Sequence, residues 1–338
     1  MRVLVTGATG FIGAWSVKAI VDAGHDVRLL VRDPAKVAST VGTLRVGEPQ
    51  VATGDITDES SVASALAGCD AVVHCAALVS TSRRDAAAML ETNVRGSSNV
   101  LGTAARLGLD PIVHVSSVAA LFDPQATVLG VDSDVAGNRA GAYGRSKASV
   151  EDFARSLQAE GAPVVITYPG MVLGPPAGTA FGGATVGVEK VLQYGVTPTT
   201  AGAWPILDVR DLAAVHAACL VPGVGPRRFL TGGQYTDMPS VMAALRRVTG
   251  RRLRSLGIPG VALRQLGRAV DATTRFLPVD TVFTRSAMEQ LTLIRPTDDS
   301  AVHDDLGIAY RSIDDTLRAS IEGLLANGRI TARQAGRR

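Results

Sequence analysis

The sequence predicts an α/β protein: a doubly wound parallel sheet with a smaller C-terminal region interleaved with it. Three observations carry this. Short β-branched runs alternate with helix-length stretches through the first half. Most of those runs are apolar throughout rather than alternating, the mark of strands covered on both faces. The first run also feeds a glycine-rich turn directly into the first helical stretch.

The strand runs are Val3 to Thr6, Val27 to Val31, Val51 to Thr53, Ala71 to Cys75, Ile112 to Ser116 and Val164 to Tyr168. After Gly170 the texture changes. Residues 173–205 are rich in Gly, Pro, Thr and Ala, with only sporadic helical pattern. Ile206 to Val209 then reads as a strand, Leu212 to Leu220 as a helix and Arg228 to Thr231 as a strand. Helical stretches follow near 238–249, 260–275 and 314–325. The organisation expected is a dinucleotide-binding core over 1–172 to which 206–232 returns, a substrate-binding region over 173–205 and 233–326, and a solvated basic tail over 327–338.

Of the 338 residues 46% are apolar and 19% charged, enough for a large core and too ordered a mixture for a disordered chain. The net charge of +3 is spread along the chain and makes no stripe for nucleic acid. No apolar run reaches the ~18 residues of a membrane helix, and a membrane partner is not expected. Three cysteines at unpaired spacings and five scattered histidines argue against a disulfide framework or a metal site, and a reducing, cytoplasmic location fits.

The turn Thr6-Gly7-Ala8-Thr9-Gly10-Phe11-Ile12-Gly13 joins strand to helix. Backbone N–H groups and the positive end of the helix dipole converge there, and missing side chains let a pyrophosphate come close. Past the second strand, Arg32 with Lys36 nearby suits a 2′-phosphate, which favours NADP; Asp33 suits a bare ribose and keeps NAD open. Asp55 and Ile56 can flank an adenine, or cap the helix that follows.

Tyr143 and Lys147 are four apart among only five tyrosines and four lysines, a spacing that puts both on one helix face. An ammonium there favours the phenolate and makes Tyr143 a usable acid and base. Ser116 or Ser117, ending the fifth strand, can hydrogen-bond a substrate oxygen; strand alternation leaves both open.

These features, with His74-Cys75-Ala76-Ala77, Asn93-Val94-Arg95-Gly96, Tyr168-Pro169-Gly170 and Asp208-Val209-Arg210-Asp211, resemble the extended short-chain dehydrogenase/reductases, also called the NAD-dependent epimerase/dehydratase superfamily. Val31-Arg32-Asp33-Pro34 and Leu306 to Arg311 are similar to the dihydroflavonol reductase and 3β-hydroxysteroid dehydrogenase branches. The resemblance implies a Rossmann core with Ser117, Tyr143, Lys147 and Asn93 as catalytic residues, Asn93 completing a proton relay. It also implies that Gly7, Thr9, Gly10, Phe11, Ile12, Gly13, Arg32, Lys36, Asp55, Ile56, Ala76, Ala77, Tyr143, Lys147, Tyr168, Gly170 and Val172 lie along the cofactor.

The activity expected is NADPH-dependent reduction of a small apolar ketone or aldehyde, or the reverse oxidation of an alcohol, in a protein compatible with a homodimer. Ala119, Leu121, Met171, Phe181, Tyr194 and Trp204 are candidate pocket residues, and an amphipathic segment from Val261 to Leu277 is a candidate lid. One alternative is a sugar-nucleotide epimerase or dehydratase, which needs cations for a diphosphate: Arg210, Arg227, Arg228 and Arg285 are available. A non-catalytic NADP sensor is another, and it has no need of Ser117, Tyr143 and Lys147.

Overall fold

In the computed structural model, described here over residues 1–79, 85–137, 141–197, 201–273 and 284–337, the elements follow the predicted alternation. The first half runs β1 (Arg2–Thr6), α1 (Phe11–Asp22), β2 (Asp26–Val31), α2 (Ala35–Ser39), β3 (Gln50–Thr53), α3 (Glu59–Leu66), β4 (Ala71–His74), α4 (Ala86–Arg106), β5 (Ile112–Val115), α5 (Ala142–Ala159) and β6 (Val164–Pro169). The second comprises β7 (Met171–Leu173), α6 (Gly183–Tyr194), β8 (Val196–Thr197), β9 (Ala203–Asp208), α7 (Val209–Ala218), β10 (Arg227–Thr231), β11 (Gln234–Asp237), α8 (Met238–Thr249), β12 (Arg254–Ser255), α9 (Gly260–Thr273), α10 (Arg285–Leu293), α11 (Ser300–Asp304) and α12 (Ile313–Ala326).

Seven parallel strands form the main sheet in the order β10-β6-β5-β4-β1-β2-β3. Both faces are covered, which is why these strands are apolar at consecutive positions. Val3, Val5, Leu29, Val73, Val113 and Val165 pack under α1 and α7 on one side. Leu4, Val72, Ile112, Val164 and Ile166 pack under α3, α4 and α5 on the other. The order reverses at β1, between β2 and β4, so the crevice for a ligand opens beyond the carboxyl ends of β1 and β4.

The second region has its own core. Strands β11, β9 and β7 make a three-stranded sheet, and Trp204, Val188, Leu192, Met242, Leu245, Leu317 and Leu324 bring α6, α8 and α12 together over it. Helix α8 begins where the Asp237 carboxylate accepts from the Ser240 N–H and ends at Gly250, whose φ of 65° is the left-handed cap glycine allows.

Three expectations change. The strand expected to return to the main sheet near residue 206 is β9, which pairs with β7 and β11; only α7 and β10 return. Helix α6 lies inside the stretch read as irregular. The basic end is no solvated tail as far as residue 337. Ile330 and Ala335 are buried in the second core, Arg329 pairs with Glu189 at 2.5 Å and lies over the Phe181 ring, and Arg337 pairs with Glu322. Of the candidate lid, residues 260–273 form α9 against α10, and 274–277 fall outside the described residues.

Candidate active site

The turn from β1 to α1 is closed so tightly that only glycine fits. Gly7 has a φ of +70°, and a Cβ there would sit 2.7 Å from the Ala76 nitrogen; one on Gly13 would sit 2.2 Å from the Gly7 carbonyl oxygen. The Gly10 N–H donates to that same carbonyl. The loops after β1 and β4 therefore meet at the switch point, where the Ala76 N–H also donates to the Thr6 hydroxyl. Helix α1 starts at Gly10 with no side chain over its N-terminus and no acid in its first turn. An anion is the natural complement of that helix end, and the first-turn amides with the small residues Gly7, Gly10 and Gly13 fit a dinucleotide pyrophosphate.

Around this turn the expected cofactor residues divide. Thr9 and Ile12 are partly exposed, and Ala77 is exposed. The Phe11 ring and Val172 are buried together with Leu207 and Leu212, so they shape the floor from within the packing. Arg32 and Lys36 are exposed past the end of β2, and the neighbouring Asp33 carboxylate accepts from the Ala35 N–H, which turns the chain into α2. The Asp55 carboxylate accepts from both the N–H and the hydroxyl of Thr57, and the Ile56 side chain packs against Gly96. Gly170 is required where β6 passes into β7, because a Cβ there would meet the Gly232 and Pro205 carbonyl oxygens.

Tyr168 is a correction. Its side chain is fully buried and its hydroxyl donates to Glu151 at 2.5 Å, so the ring belongs to the core and cannot touch a cofactor.

Beyond the end of β5 the chain settles which serine faces outward. Ser116 is buried, and its hydroxyl donates to the Glu151 carboxylate at 2.9 Å. Ser117 follows in extended backbone and turns the other way; its hydroxyl accepts from the Ala119 N–H at 3.2 Å and lies close enough to the Tyr143 phenol to act on it. Tyr143 is half-buried in the first turn of α5; burial pushes its phenol up and the nearby Ser117 hydroxyl pulls it back. One turn on, Lys147 is buried and donates to the Val115 carbonyl at 3.0 Å. Burial brings its ammonium down to about 8, with Cys75 and Glu151 opposing.

Asn93, expected in a proton relay, has its side chain committed elsewhere. Its carbonyl oxygen accepts from the Leu78 N–H at 2.7 Å, and its amide donates to the Leu78 carbonyl and to the Ser146 hydroxyl. Ser146 in turn donates to the Tyr143 carbonyl, so Asn93 ties the loop after β4 to the turn of α5 that carries the phenol.

Sequence reasoning missed Glu151 and Arg155. Their signal was present: both continue the four-residue spacing from Tyr143 and Lys147 along α5. His74 is structural, bonded to Thr6 at 2.7 Å and Ser97 at 2.9 Å, and burial brings it down to about 3. Among the described residues no group of His, Cys, Asp and Glu could hold a metal ion, and no helix is long and apolar enough to cross a membrane.

Among the pocket candidates, Leu121 and Trp204 are core residues with no free surface to offer a ligand, and Tyr194 is 71% exposed at the end of α6. Ala119 is buried beside Ser117, and Met171 and Phe181 are partly exposed at the edge of the second core.

Residues 3–230 match the NAD dependent epimerase/dehydratase family. The chain is 31% identical over 276 residues to sterol demethylase protein B of Methylococcus capsulatus, covering 78% of this chain and 80% of that one. It is 28% identical over 342 residues to cinnamoyl-CoA reductase 2 of Arabidopsis thaliana, covering 97% and 93%. A UDP-glucose-4-epimerase from Stenotrophomonas maltophila with bound NAD has the same fold, with a TM-score of 0.79 at 20% identity over 97% of this chain and 99% of that one. The chain thus belongs to the NAD-dependent epimerase/dehydratase family of extended short-chain dehydrogenases/reductases, NAD(P)-dependent enzymes that act on alcohol and carbonyl groups.

Proposed function

We propose that the protein is an NADPH-dependent reductase of an apolar ketone or aldehyde. The single observation that carries this is the grouping of Ser117 and Tyr143 beyond the end of β5, with the Lys147 ammonium buried one helical turn from the phenol and held by the Val115 carbonyl. Two hydroxyls aimed at one point can hold a carbonyl oxygen and take up the charge that develops on it. Tyr143 donates the proton, and Lys147 lowers the cost of the phenolate left behind.

Gly7, Gly10, Gly13 and the first-turn amides of α1 would hold the dinucleotide pyrophosphate, with Arg32 and Lys36 near the adenosine ribose favouring a 2′-phosphate. Bound there, the dinucleotide supplies or accepts the hydride. Asn93 fixes the loop after β4 against α5 and so keeps Tyr143 in place.

A sterol-like ketone is one form of the same reading, supported by the likeness to sterol demethylase protein B. The sugar-nucleotide alternative has less support. Arg227 and Arg228 begin β10, at the amino end of a parallel strand and so at the far edge of the sheet from the crevice. Arg210 is committed to Asp208 through two hydrogen bonds, and Arg285 to Glu289.

The test is NADPH and NADH oxidation over aromatic aldehydes, ketones and ketosteroids, with Tyr143→Phe alongside. NADPH-preferring turnover that falls about 10²–10⁴-fold in Tyr143→Phe is expected. No carbonyl turnover, together with conversion of a nucleotide sugar, overturns the proposal; equal rates with NADH overturn the Arg32 and Lys36 assignment alone.

A further inference from the structure

Helix α5 presents ionisable side chains at four successive turns of one face, Tyr143, Lys147, Glu151 and Arg155, and the reaction proposed above uses only the first two. Glu151 has no solvent exposure at all. One carboxylate oxygen accepts from the Tyr168 hydroxyl at 2.5 Å and the Arg155 guanidinium at 2.7 Å, the other from the Ser116 hydroxyl at 2.9 Å. Three donors from β6, α5 and the end of β5 match an ionised carboxylate, which only accepts. A buried anion so fully bonded is fixed in place as well as in charge.

Its two neighbours tie it to the active site. Ser116 precedes Ser117 in extended backbone, so a hydroxyl pinned inward at 116 holds the next one outward, toward Tyr143. On the helix, Lys147 stands one turn before Glu151. The groups facing its ammonium are Tyr143 and Glu151 on α5, His114 on β5, and His74 and Cys75 at the end of β4. Burial keeps the two imidazoles neutral and the Cys75 thiol protonated, which leaves Glu151 as the negative charge of this set.

We propose that Glu151 is a positioning residue for the active site: its carboxylate, the buried anion one helical turn from Lys147, sets the surroundings of that ammonium and, by holding Ser116, turns Ser117 toward the Tyr143 side. The inference rests on the reading of Ser117, Tyr143 and Lys147 as the reacting centre. Glu151 itself touches neither substrate nor cofactor.

The chain has only four lysines, so [ε-¹³C]lysine labelling gives four NMR signals, and the Lys147 midpoint can be followed directly. Glu151→Gln keeps the volume and removes the charge. Its Lys147 midpoint should fall by about one pH unit, and the alkaline limb of kcat/KM should move with it, a loss of about tenfold above that limb. An unchanged midpoint in folded Glu151→Gln overturns the proposal, whether or not a carbonyl substrate has been found. A shifted midpoint in a protein with no carbonyl turnover overturns the reductase reading and leaves the Glu151 to Lys147 coupling established. Should Glu151→Gln not fold, Arg155→Gln gives the opposite sign: with the guanidinium gone the carboxylate acts more strongly on Lys147 and the midpoint rises, and a fall or no change overturns the proposal.

Discussion

Replacing the buried ammonium should make the protein more stable while removing its activity. Burial brings Lys147 down from 10.5 to about 8. The unfolded chain therefore holds a proton that the folded chain releases between those two values. Stability attributable to this group rises with pH across that window, and below about 8 the folded state carries the full cost of the buried charge. A drop of that size corresponds to about 3 kcal/mol. Lys147→Met keeps most of the stem volume and removes the charge. It also leaves the Val115 carbonyl without its donor, at about 1–2 kcal/mol. The net expectation at pH 7 is a gain of about 1–2 kcal/mol, read as a higher urea midpoint at unchanged slope. At pH 10.5 the wild-type side chain is itself neutral in the fold, so the gain should vanish or reverse. A Lys147→Met protein less stable than wild type at pH 7 would refute the reasoning, because the ammonium would then be stabilised where it lies.

Two further outcomes follow from packing. Gly13→Ala pushes a methyl against the Gly7 carbonyl, where backbone on both sides blocks retreat. It should destabilise by about 1–3 kcal/mol and weaken NADPH binding at least tenfold in a fluorescence titration; wild-type affinity would argue that the turn is not the phosphate site. Ile330→Ala, far from the crevice and 3% exposed, should cost about 2–5 kcal/mol in urea denaturation. A change under about 0.5 kcal/mol would mean that the C-terminal segment does not share the second core.

The parallel sheet was legible because its strands are buried on both faces and so write continuous apolar runs into the chain. The same property hid the serine assignment. With no polar face to set a phase, alternation at Ser116 and Ser117 is silent, and the choice is made by Glu151, 35 residues away. Tyr168 shows the converse failure: the motif containing it resembles a cofactor-binding segment, yet its ring lies on the α5 side of the sheet, where Glu151 takes the hydroxyl. Helix α6 was obscured because a stretch rich in Gly and Ala sets out little apolar period, and its core face becomes visible only against Trp204 and α12. The C-terminal arginines were read as solvated because their acids are remote: Glu189 is 140 residues from Arg329.

Charge type can be read from a sequence, whereas its end of the sheet cannot, and here that difference separates two chemistries. Arg227 and Arg228 are as basic as a diphosphate subsite requires, but strand direction puts them at the amino end of β10. Ser117, the Tyr143 turn, the β1 to α1 glycines and Arg32 all lie past the carboxyl ends of β5, β1 and β2 or on the helix packed beside them. Among the described residues Arg32 and Lys36 flank the second strand at that edge, where they can meet the coenzyme, and the partly exposed side chains expected around the reacting end, Met171 and Phe181, are apolar. That asymmetry favours an uncharged carbonyl compound over a nucleotide sugar on the same scaffold.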